Sequence, residues 1–295
     1  MRHEVWAEHS ELGPPFETIE PELLSAPVIF DSPHSGAVYP RHFLDMSRLD
    51  ALTLRRSEDA FVDELFRPCV ALGAPLLRAR FPRAYLDANR EPYELDPRMF
   101  DGRLPDFANT RSLRVAAGLG SIPRIVGEAQ PIYRQPMPVA VGLARIEALH
   151  IPYHAELTRL IGRAERRFGA AIVVDCHSMP SSTPDVAGTD IVLGDRYGGS
   201  AAGWITETLE RSLRGAGLVV RRNKPYAGGY ITELCGKPAA GRHAVQIEIN
   251  RALYMDEHAI RKTENFAALA GAMFAAASAL VAAAGEIEVL RLAAE

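Results

Sequence analysis

Short apolar runs and helically spaced apolar residues alternate along this chain of 295 residues. Apolar runs of four to eight residues bounded by turn residues are typical of strands. They occur at 28–31, 75–80, 84–87, 171–175, 190–193, 218–221 and 243–249. Apolar residues at helical spacing predict helices at 57–72, 139–150, 153–168, 199–215 and 256–284. This alternation favours an α/β layer fold. We expect a single domain over 1–295, with a mixed central sheet flanked by helices on both faces.

A long segment without a regular period interrupts this pattern at residues 96–138, which are rich in proline and glycine. Such a segment in a compact domain is usually a functional loop or is disordered. We expect an irregular insertion over the site, forming a wall or lid for an anionic ligand. A solvated insertion is the alternative. The prediction depends on the arginines Arg103, Arg111, Arg114, Arg124 and Arg134.

Composition limits the kinds of molecule that the protein is expected to bind. Hydrophobic residues make up 47% and charged residues 24%, and the net charge is −4, so the basic surface typical of nucleic-acid binding is not indicated. The three cysteines lack CxxC spacing, which suits a reducing cytosol. Residues 1–15 do not resemble a signal peptide, and the apolar stretch 266–284 repeats at helical spacing, as a packed helix does. We therefore expect a cytoplasmic protein that binds neither nucleic acid nor membranes.

Two histidines follow predicted strands. His34 comes after the strand at 28–31, and His177 comes after the strand at 171–175. Ligands of open α/β sheets bind beyond the carboxyl ends of strands, and imidazole nitrogens are common zinc ligands. Asp175 shares the face of His177 and could accept a hydrogen bond from it. The alternatives are a turn-capping role for His34 and a core position for His177.

An acidic third ligand is expected, because a catalytic zinc site takes three protein ligands and a water. The His-x-x-Glu signature of carboxypeptidases is absent, since residue 37 is Ala37. Asp59 and Glu58, at the start of the predicted helix 57–72, are the candidates, and Asp59 is preferred. Acidic residues in a first helical turn also complement the helix dipole, which is the alternative role.

Glu248 is the candidate general base. In the predicted strand 243–249, Gln246 and Glu248 face the side opposite to Ile247. A carboxylate on a buried strand is costly unless it is paired or functional. Beside a metal, it can take the proton of the attacking water. If the strand lies at the edge of the sheet, its polar face is merely exposed.

Two arginines flank the predicted strand 84–87. Arg83 could stabilise an oxyanion. Arg90, next to Asn89, could bind a carboxylate through its bidentate guanidinium. Surface salt bridges are the alternative for both arginines.

Other reactive side chains are expected to be structural. His154 lies on the apolar stripe of its predicted helix, so a core histidine is favoured over a ligand, and His243 is weighed in the same way. Cys176 points away from His177, which disfavours a cysteine nucleophile.

Together these residues form a set that resembles the N-formylglutamate amidohydrolase family. The matches run in the family's order from about residue 28 to about residue 257. The stretches are 32–36 (SPHSG), Asp59 with Val62 and Leu65, 87–90 (DANR), 118–123 (GLGSIP), 153–154 (YH), 175–179 (DCHSM), 194–195 (GD), 228–232 (GGYIT) and 246–251 (QIEINR).

The resemblance implies a zinc-peptidase-like (phosphorylase/hydrolase-like) α/β fold, related to carboxypeptidases and aspartoacylase. It implies metal-dependent hydrolysis of an N-acyl amide on an acidic amino acid. The expected reaction converts N-formyl-L-glutamate and water to formate and glutamate, as in histidine catabolism, with one divalent metal, zinc. We expect the metal ligands His34, Asp59 and His177, the catalytic residues Glu248 and Arg83, and the substrate-binding residues Asn89, Arg90 and Tyr230.

Three other functions stay open at this point. A metallo-carboxypeptidase or cell-wall peptide amidase would act on peptides. A non-catalytic protein could bind a metal without turnover. A cysteine hydrolase would use Cys176.

Overall fold

The computed structural model describes residues 10–127 and 129–294. The expectation for residues 1–15 therefore falls largely outside the described residues. By their contacts, the residues form two compact units. One contains the described part of 1–17 with Pro33–Ala60 and Arg78–Glu156, and the other contains Thr18–Ser32, Phe61–Leu77 and the chain from Leu157 onward. The predicted domain boundaries stay a prediction.

The strands and helices are numbered in chain order. The strands are β1 (Phe16–Ile19), β2 (Val28–Ser32), β3 (Leu76–Ala79), β4 (Phe100–Asp101), β5 (Ile125–Val126), β6 (Gln130–Pro131), β7 (Met137–Pro138), β8 (Ala171–Met179), β9 (Ile191–Gly194), β10 (Val220–Arg222), β11 (Arg242–Asn250), β12 (Met255–Asp256) and β13 (Arg261–Lys262). The helices are α1 (Arg41–Met46), α2 (Ala51–Arg55), α3 (Val62–Phe66), α4 (Leu113–Ala116), α5 (Val139–Arg145), α6 (Ile151–Phe168), α7 (Gly203–Gly215), α8 (Tyr230–Cys235) and α9 (Phe266–Ala294).

A seven-stranded sheet in the order β1-β3-β2-β8-β11-β9-β10 forms the centre of the fold within the described chain. β2, β8 and β11 run parallel, whereas β9 runs antiparallel to β11. Every residue of β8 is buried, as expected for a strand covered on both faces. Because the three parallel strands end at the same edge, residues at their carboxyl ends meet there. The predicted mixed α/β fold is confirmed.

Three predicted elements near the site are corrected. Residues 84–87 form turns instead of a strand, because the amides of Tyr85 and Leu86 bond to the carbonyl of Pro82. The helix predicted from residue 57 begins at Val62, because Phe61 takes a left-handed conformation with φ 66°. β8 extends to Met179, so His177 lies within the strand and not after it.

The helices predicted at 139–150 and 153–168 form one continuous helical segment. It consists of α5, a π-helical turn at Ile146–His150, and α6. A π-helical turn inserts one extra residue and often marks a functional position.

The apolar C-terminal helix α9 begins at Phe266, ten residues later than predicted, because the short strands β12 and β13 precede it. It packs against α3 and α7. Its predicted packed stripe is largely buried, at Leu269, Met273, Ala277 and Leu280. The stretch Phe266–Glu286 is also long and apolar enough to cross a membrane, with 28% of it buried; one such helix is weak evidence, since core helices of soluble proteins also qualify.

Residues 96–138 contain only short elements in their described part, namely a 3-10 helix at Pro97–Met99, β4 to β7 and α4. Their arginines are largely paired with nearby acceptors, which offsets the positive charge seen in the sequence. The pairs are Arg103–Asp106, Arg114–Glu94, Arg124–Asp96 and Arg134 with the carbonyl of Ser47. The role of this segment as a lid or wall stays a prediction.

Candidate active site

His34 lies in the turn that follows β2. Its carbonyl accepts a hydrogen bond from the amide of Asp59 at 3.0 Å, which links the turn of His34 to the segment that carries Asp59. Gly36 permits a close backbone approach, because a Cβ there would lie 2.1 Å from the carbonyl oxygen of Phe81. The local fold thus fixes His34 and Asp59 as neighbours.

The His34 imidazole is held between two carboxylates. Its Nδ1 lies 3.3 Å from Oδ2 of Asp59, and its Nε2 lies 2.7 Å from Oδ1 of Asp87. A carboxylate accepts hydrogen bonds, so Nε2 carries the proton that it donates to Asp87. Nδ1 is then the nitrogen that can bind a metal on the Asp59 side.

Asp87 connects His34 to both candidate arginines. Its Oδ2 accepts from Nε of Arg83 at 3.0 Å and lies 3.7 Å from Nε of Arg90. Its Oδ1 also accepts from the amide of Asn89 at 2.9 Å. Burial alone would raise the pKa of Asp87, but His34, Arg90 and Arg83 outweigh it and hold this pKa well below its usual value. Asp87 is therefore a carboxylate at neutral pH.

His177 has a matching partner. Its Nε2 donates to Oδ1 of Asp175 at 2.8 Å, so the hydrogen bond expected from their shared strand face is confirmed. Strand pairing sets Asp31 of β2 opposite Asp175 of β8. His34, three residues beyond Asp31, therefore emerges at the sheet edge where His177 lies.

The three residues predicted as ligands come together. One ligand atom from each of His34, Asp59 and His177 lies within 4.8 Å of the others, and all three side chains are buried. Glu58 is directed elsewhere, since it accepts hydrogen bonds from the hydroxyl of Tyr39 and from Arg55. Asp59, and not Glu58, is the acidic member of this group.

The group fits zinc. Two imidazole nitrogens and one carboxylate oxygen are the ligands of many catalytic zinc sites. In addition, each imidazole donates its other ring proton to a buried carboxylate, Asp87 or Asp175. That second hydrogen bond is characteristic of metal-binding histidines, because it fixes the tautomer and makes the ligand more basic.

Glu248 of β11 stands opposite His177 of β8 in the parallel register. Since β11 lies between β8 and β9, the edge-strand alternative is wrong. Oε1 of Glu248 accepts from Nε2 of Gln246 at 2.7 Å, and Oε1 of Gln246 accepts from the amide of Gly229 at 2.9 Å. This second bond fixes the orientation of the Gln246 amide.

The predicted substrate-binding residues occupy two places. Asn89 and Arg90 follow Asp87 in a turn, where Nη1 of Arg90 donates to the carbonyl of Asn89 at 2.8 Å and its Nε to that of Leu119 at 3.2 Å. Tyr230 is half-buried and begins α8, directly after Gly229.

Cys176 does not have the environment of a nucleophile. Its side chain is fully buried, and its Sγ donates to the carbonyl of Val174 at 3.2 Å. Burial, with Asp175 and Asp31 nearby, raises the pKa of the Cys176 thiol well above its usual value. A reactive thiolate needs the opposite environment, so the cysteine-hydrolase alternative loses its basis.

Comparisons with known proteins show which family this chain belongs to. The family model for N-formylglutamate amidohydrolase matches residues 26–255. The chain belongs to the N-formylglutamate amidohydrolase family. A solved structure of N-formylglutamate amidohydrolase from Ralstonia eutropha JMP134 has 36% sequence identity and a TM-score of 0.85, and the match covers 92% of this chain and 98% of that one.

Two curated relatives of the family are similar over most of their length. The N-formylglutamate deformylase of Pseudomonas aeruginosa is 28% identical over 240 residues, which cover 79% of this chain and 84% of that protein. The N-formylglutamate deformylase of Pseudomonas putida is 29% identical over 237 residues, covering 78% and 82%.

Sequence reasoning missed two features of this family member's site. It quoted Asp87 only as part of the DANR motif, although its position between two arginines gave a signal for a charge partner. It also gave no role to His150, which lies 60 residues from its partner, the carbonyl of Arg90.

Proposed function

We propose that this protein hydrolyses the N-formyl amide of an acidic amino acid, with N-formyl-L-glutamate as substrate and formate and glutamate as products. The approach of His34, Asp59 and His177 to within 4.8 Å, in a chain of this family, carries the proposal. The two Pseudomonas relatives, both named N-formylglutamate deformylase, support the same substrate.

The proposed metal is a single zinc ion held by these three residues. When bound, it would supply a Lewis acid that lowers the pKa of water and polarises the formyl carbonyl. The hydrogen bonds of His34 to Asp87 and of His177 to Asp175 support this assignment, because they leave the Nδ1 atoms for the metal.

Glu248 is the proposed general acid and base. It takes the proton of the water that attacks the formyl carbon, and it returns that proton to the amine as the carbon–nitrogen bond breaks. Its pairing with His177 in the sheet supports this role. The hydrogen bond from Gln246 orients its carboxylate.

The arginines supply the proposed positive charge. Arg83, oriented by its hydrogen bond to Asp87, would stabilise the oxyanion of the tetrahedral intermediate. Arg90 and Asn89 would bind a substrate carboxylate, and Tyr230 would line the same substrate. A guanidinium suits both tasks because it stays charged and offers several donors in a fixed plane.

Metal analysis combined with a formate-release assay tests this function. We expect zinc in the purified protein and equal amounts of formate and glutamate from N-formyl-L-glutamate. Chelation should stop turnover and added zinc should restore it. His177→Ala should lose metal and activity together, whereas His258→Ala, at an exposed position, should retain both.

Two results would contradict the proposal. Bound metal without formate release from any acyl-amino acid would indicate a non-catalytic metal-binding protein. Faster turnover of a formylated dipeptide than of N-formyl-L-glutamate would favour a peptidase. The cytoplasmic location stays a prediction.

A further inference from the structure

The turn that carries Asp87, Asn89 and Arg90 has no strand or helix of its own. Buried backbone carbonyls still need hydrogen-bond donors. In this turn, three side chains from the continuous helical segment α5–α6 donate to backbone carbonyls. They are Nη1 of Arg145 to Tyr85 at 3.1 Å, Nε2 of His154 to Ala88 at 2.8 Å, and Nε2 of His150 to Arg90 at 2.9 Å.

The π-helical turn explains why one helical segment can provide all three donors. In a regular α-helix, residues four apart share a face and residues five apart do not. The extra residue of the turn at Ile146–His150 brings His150 to the face of Arg145. His154, four residues further along, continues the same row.

The two imidazoles also support each other. Their rings stack with centroids 4.3 Å apart and an interplanar angle of 21°. Because both partners are carbonyl oxygens, both Nε2 atoms carry protons. Burial, with His154 close by, lowers the pKa of His150 to about 3, so His150 is neutral at physiological pH.

The donors surround the proposed carboxylate-binding residues. The carbonyls of Ala88 and Arg90 are bound by His154 and His150, and the carbonyl between them, that of Asn89, is bound by Arg90 itself. The conformation from which Asn89 and Arg90 project is therefore set by the helix.

We propose that His150 and His154 are positioning residues for substrate recognition, which hold the Ala88–Arg90 backbone so that Asn89 and Arg90 can bind a substrate carboxylate. This inference rests on the proposed function. It goes beyond it by assigning a role to two histidines that are not among the proposed metal ligands or substrate-binding residues.

Substrate preference in the metal-loaded, full-length protein tests the proposal. Each histidine is replaced by Gln, whose amide can donate from a similar position, and by Leu, which cannot. Turnover is measured for N-formyl-L-glutamate and for two analogues that each lack one carboxylate, 4-(formylamino)butyrate and N-formyl-L-norvaline. His243→Leu is the control, because His243 is a half-buried imidazole on β11.

In the Leu variants, we expect KM for N-formyl-L-glutamate to rise about tenfold, as for the loss of one or two hydrogen bonds, with a smaller change in kcat. The preference for N-formyl-L-glutamate over the analogue that lacks the bound carboxylate should fall by a similar factor. The Gln variants and His243→Leu should stay near wild type. Unchanged preference in the Leu variants, or equal losses with Gln and Leu, would overturn the proposal.

A second readout does not depend on turnover. Long-range ¹H–¹⁵N spectra should show His150 as the neutral Nε2–H tautomer and His154 with a proton on Nε2, and His154→Leu should shift the Nε–H resonance of Arg90. Another tautomer, or an unshifted Arg90 resonance, would refute the positioning role. If the wild-type protein releases no formate, the proposed function fails, and these spectra still decide whether the histidines hold the turn.

Discussion

Glu248 on β11 and His177 on β8 occupy paired positions in a parallel ladder. The carboxylate proposed to move the proton and an imidazole proposed to bind the metal are thus set side by side by backbone pairing. Rigid strands hold such groups more precisely than loops do.

Glu248→Gln should therefore abolish proton transfer without disturbing the sheet. We expect formate release to fall by about 10²–10⁴-fold, the usual contribution of a general acid or base, with metal content unchanged. Steady-state kinetics and metal analysis measure the two effects. Glu207→Gln, at an exposed position of α7, is the control, and near-normal activity of Glu248→Gln would remove Glu248 from the mechanism.

Asp87→Asn and Asp175→Asn should each weaken metal binding. Each substitution replaces the carboxylate that accepts a hydrogen bond from a proposed ligand, His34 or His177. We expect a loss of about 10–100-fold in zinc affinity, measured by competition with a chelator. Asp106→Asn, in an exposed ion pair with Arg103, should bind zinc like wild type; equal affinities in all three variants would contradict the assignment.

Two Gly→Ala substitutions should have opposite effects on stability. At Gly36, the new methyl group would meet the carbonyl oxygen of Phe81 at 2.1 Å, and we expect a loss of roughly 1–3 kcal/mol in the free energy of unfolding. At Gly271 in α9, an added Cβ would meet no atom of the described residues within 4 Å apart from the backbone of its own helix, so the better helix propensity of alanine should add up to about 1 kcal/mol. Denaturant unfolding measures both, and a neutral Gly36→Ala would show that the backbones do not meet.

His150 should make the folded state sensitive to acid. Its pKa is about 3 in the folded protein, against an ordinary value of 6.5. Between these values the unfolded chain binds a proton that the folded protein does not. The free energy of unfolding therefore falls as pH decreases from 6.5 towards 3, by at most about 1.4 kcal/mol per pH unit from this group.

The comparison of wild type with His150→Gln isolates this contribution, because glutamine does not titrate. Unfolding measured from pH 7 to pH 4 should show a shallower loss of stability in the variant. His258→Gln, at an exposed position, should follow the wild-type curve. Parallel curves for wild type and His150→Gln would mean that His150 is not kept neutral by burial.

Iodoacetamide should leave the folded enzyme active. All three cysteines are buried, and the raised pKa of Cys176 keeps its thiol protonated. Mass spectrometry should find Cys176 alkylated only after unfolding, whereas a chelator should stop turnover without alkylation. Rapid inactivation by modification at Cys176 would restore the cysteine-hydrolase alternative.

The sequence by itself determined most of the central sheet and named the three residues that the structure brings together as a candidate metal group. The strands at 28–31 and 171–175 were recognisable because buried parallel strands are typically apolar runs, and the strand at 243–249 was recognisable from its alternation of apolar and polar residues. Polar residues at their ends were conspicuous against that background. The sequence distinguished Asp59 from Glu58 less clearly as the acidic ligand, because the two residues are adjacent.

Tertiary structure alone decided how this group is supported. The turn that carries Asp87 has the composition of a strand. Its conformation depends on hydrogen bonds to the carbonyls of Ser121 and Pro82 and on the side-chain donors of the α5–α6 segment. His150 and His154 find their carbonyl partners 60 and 66 residues away. Local periodicity reports which face of a helix is buried, but not which backbone atoms that face will meet, because that depends on how distant segments pack.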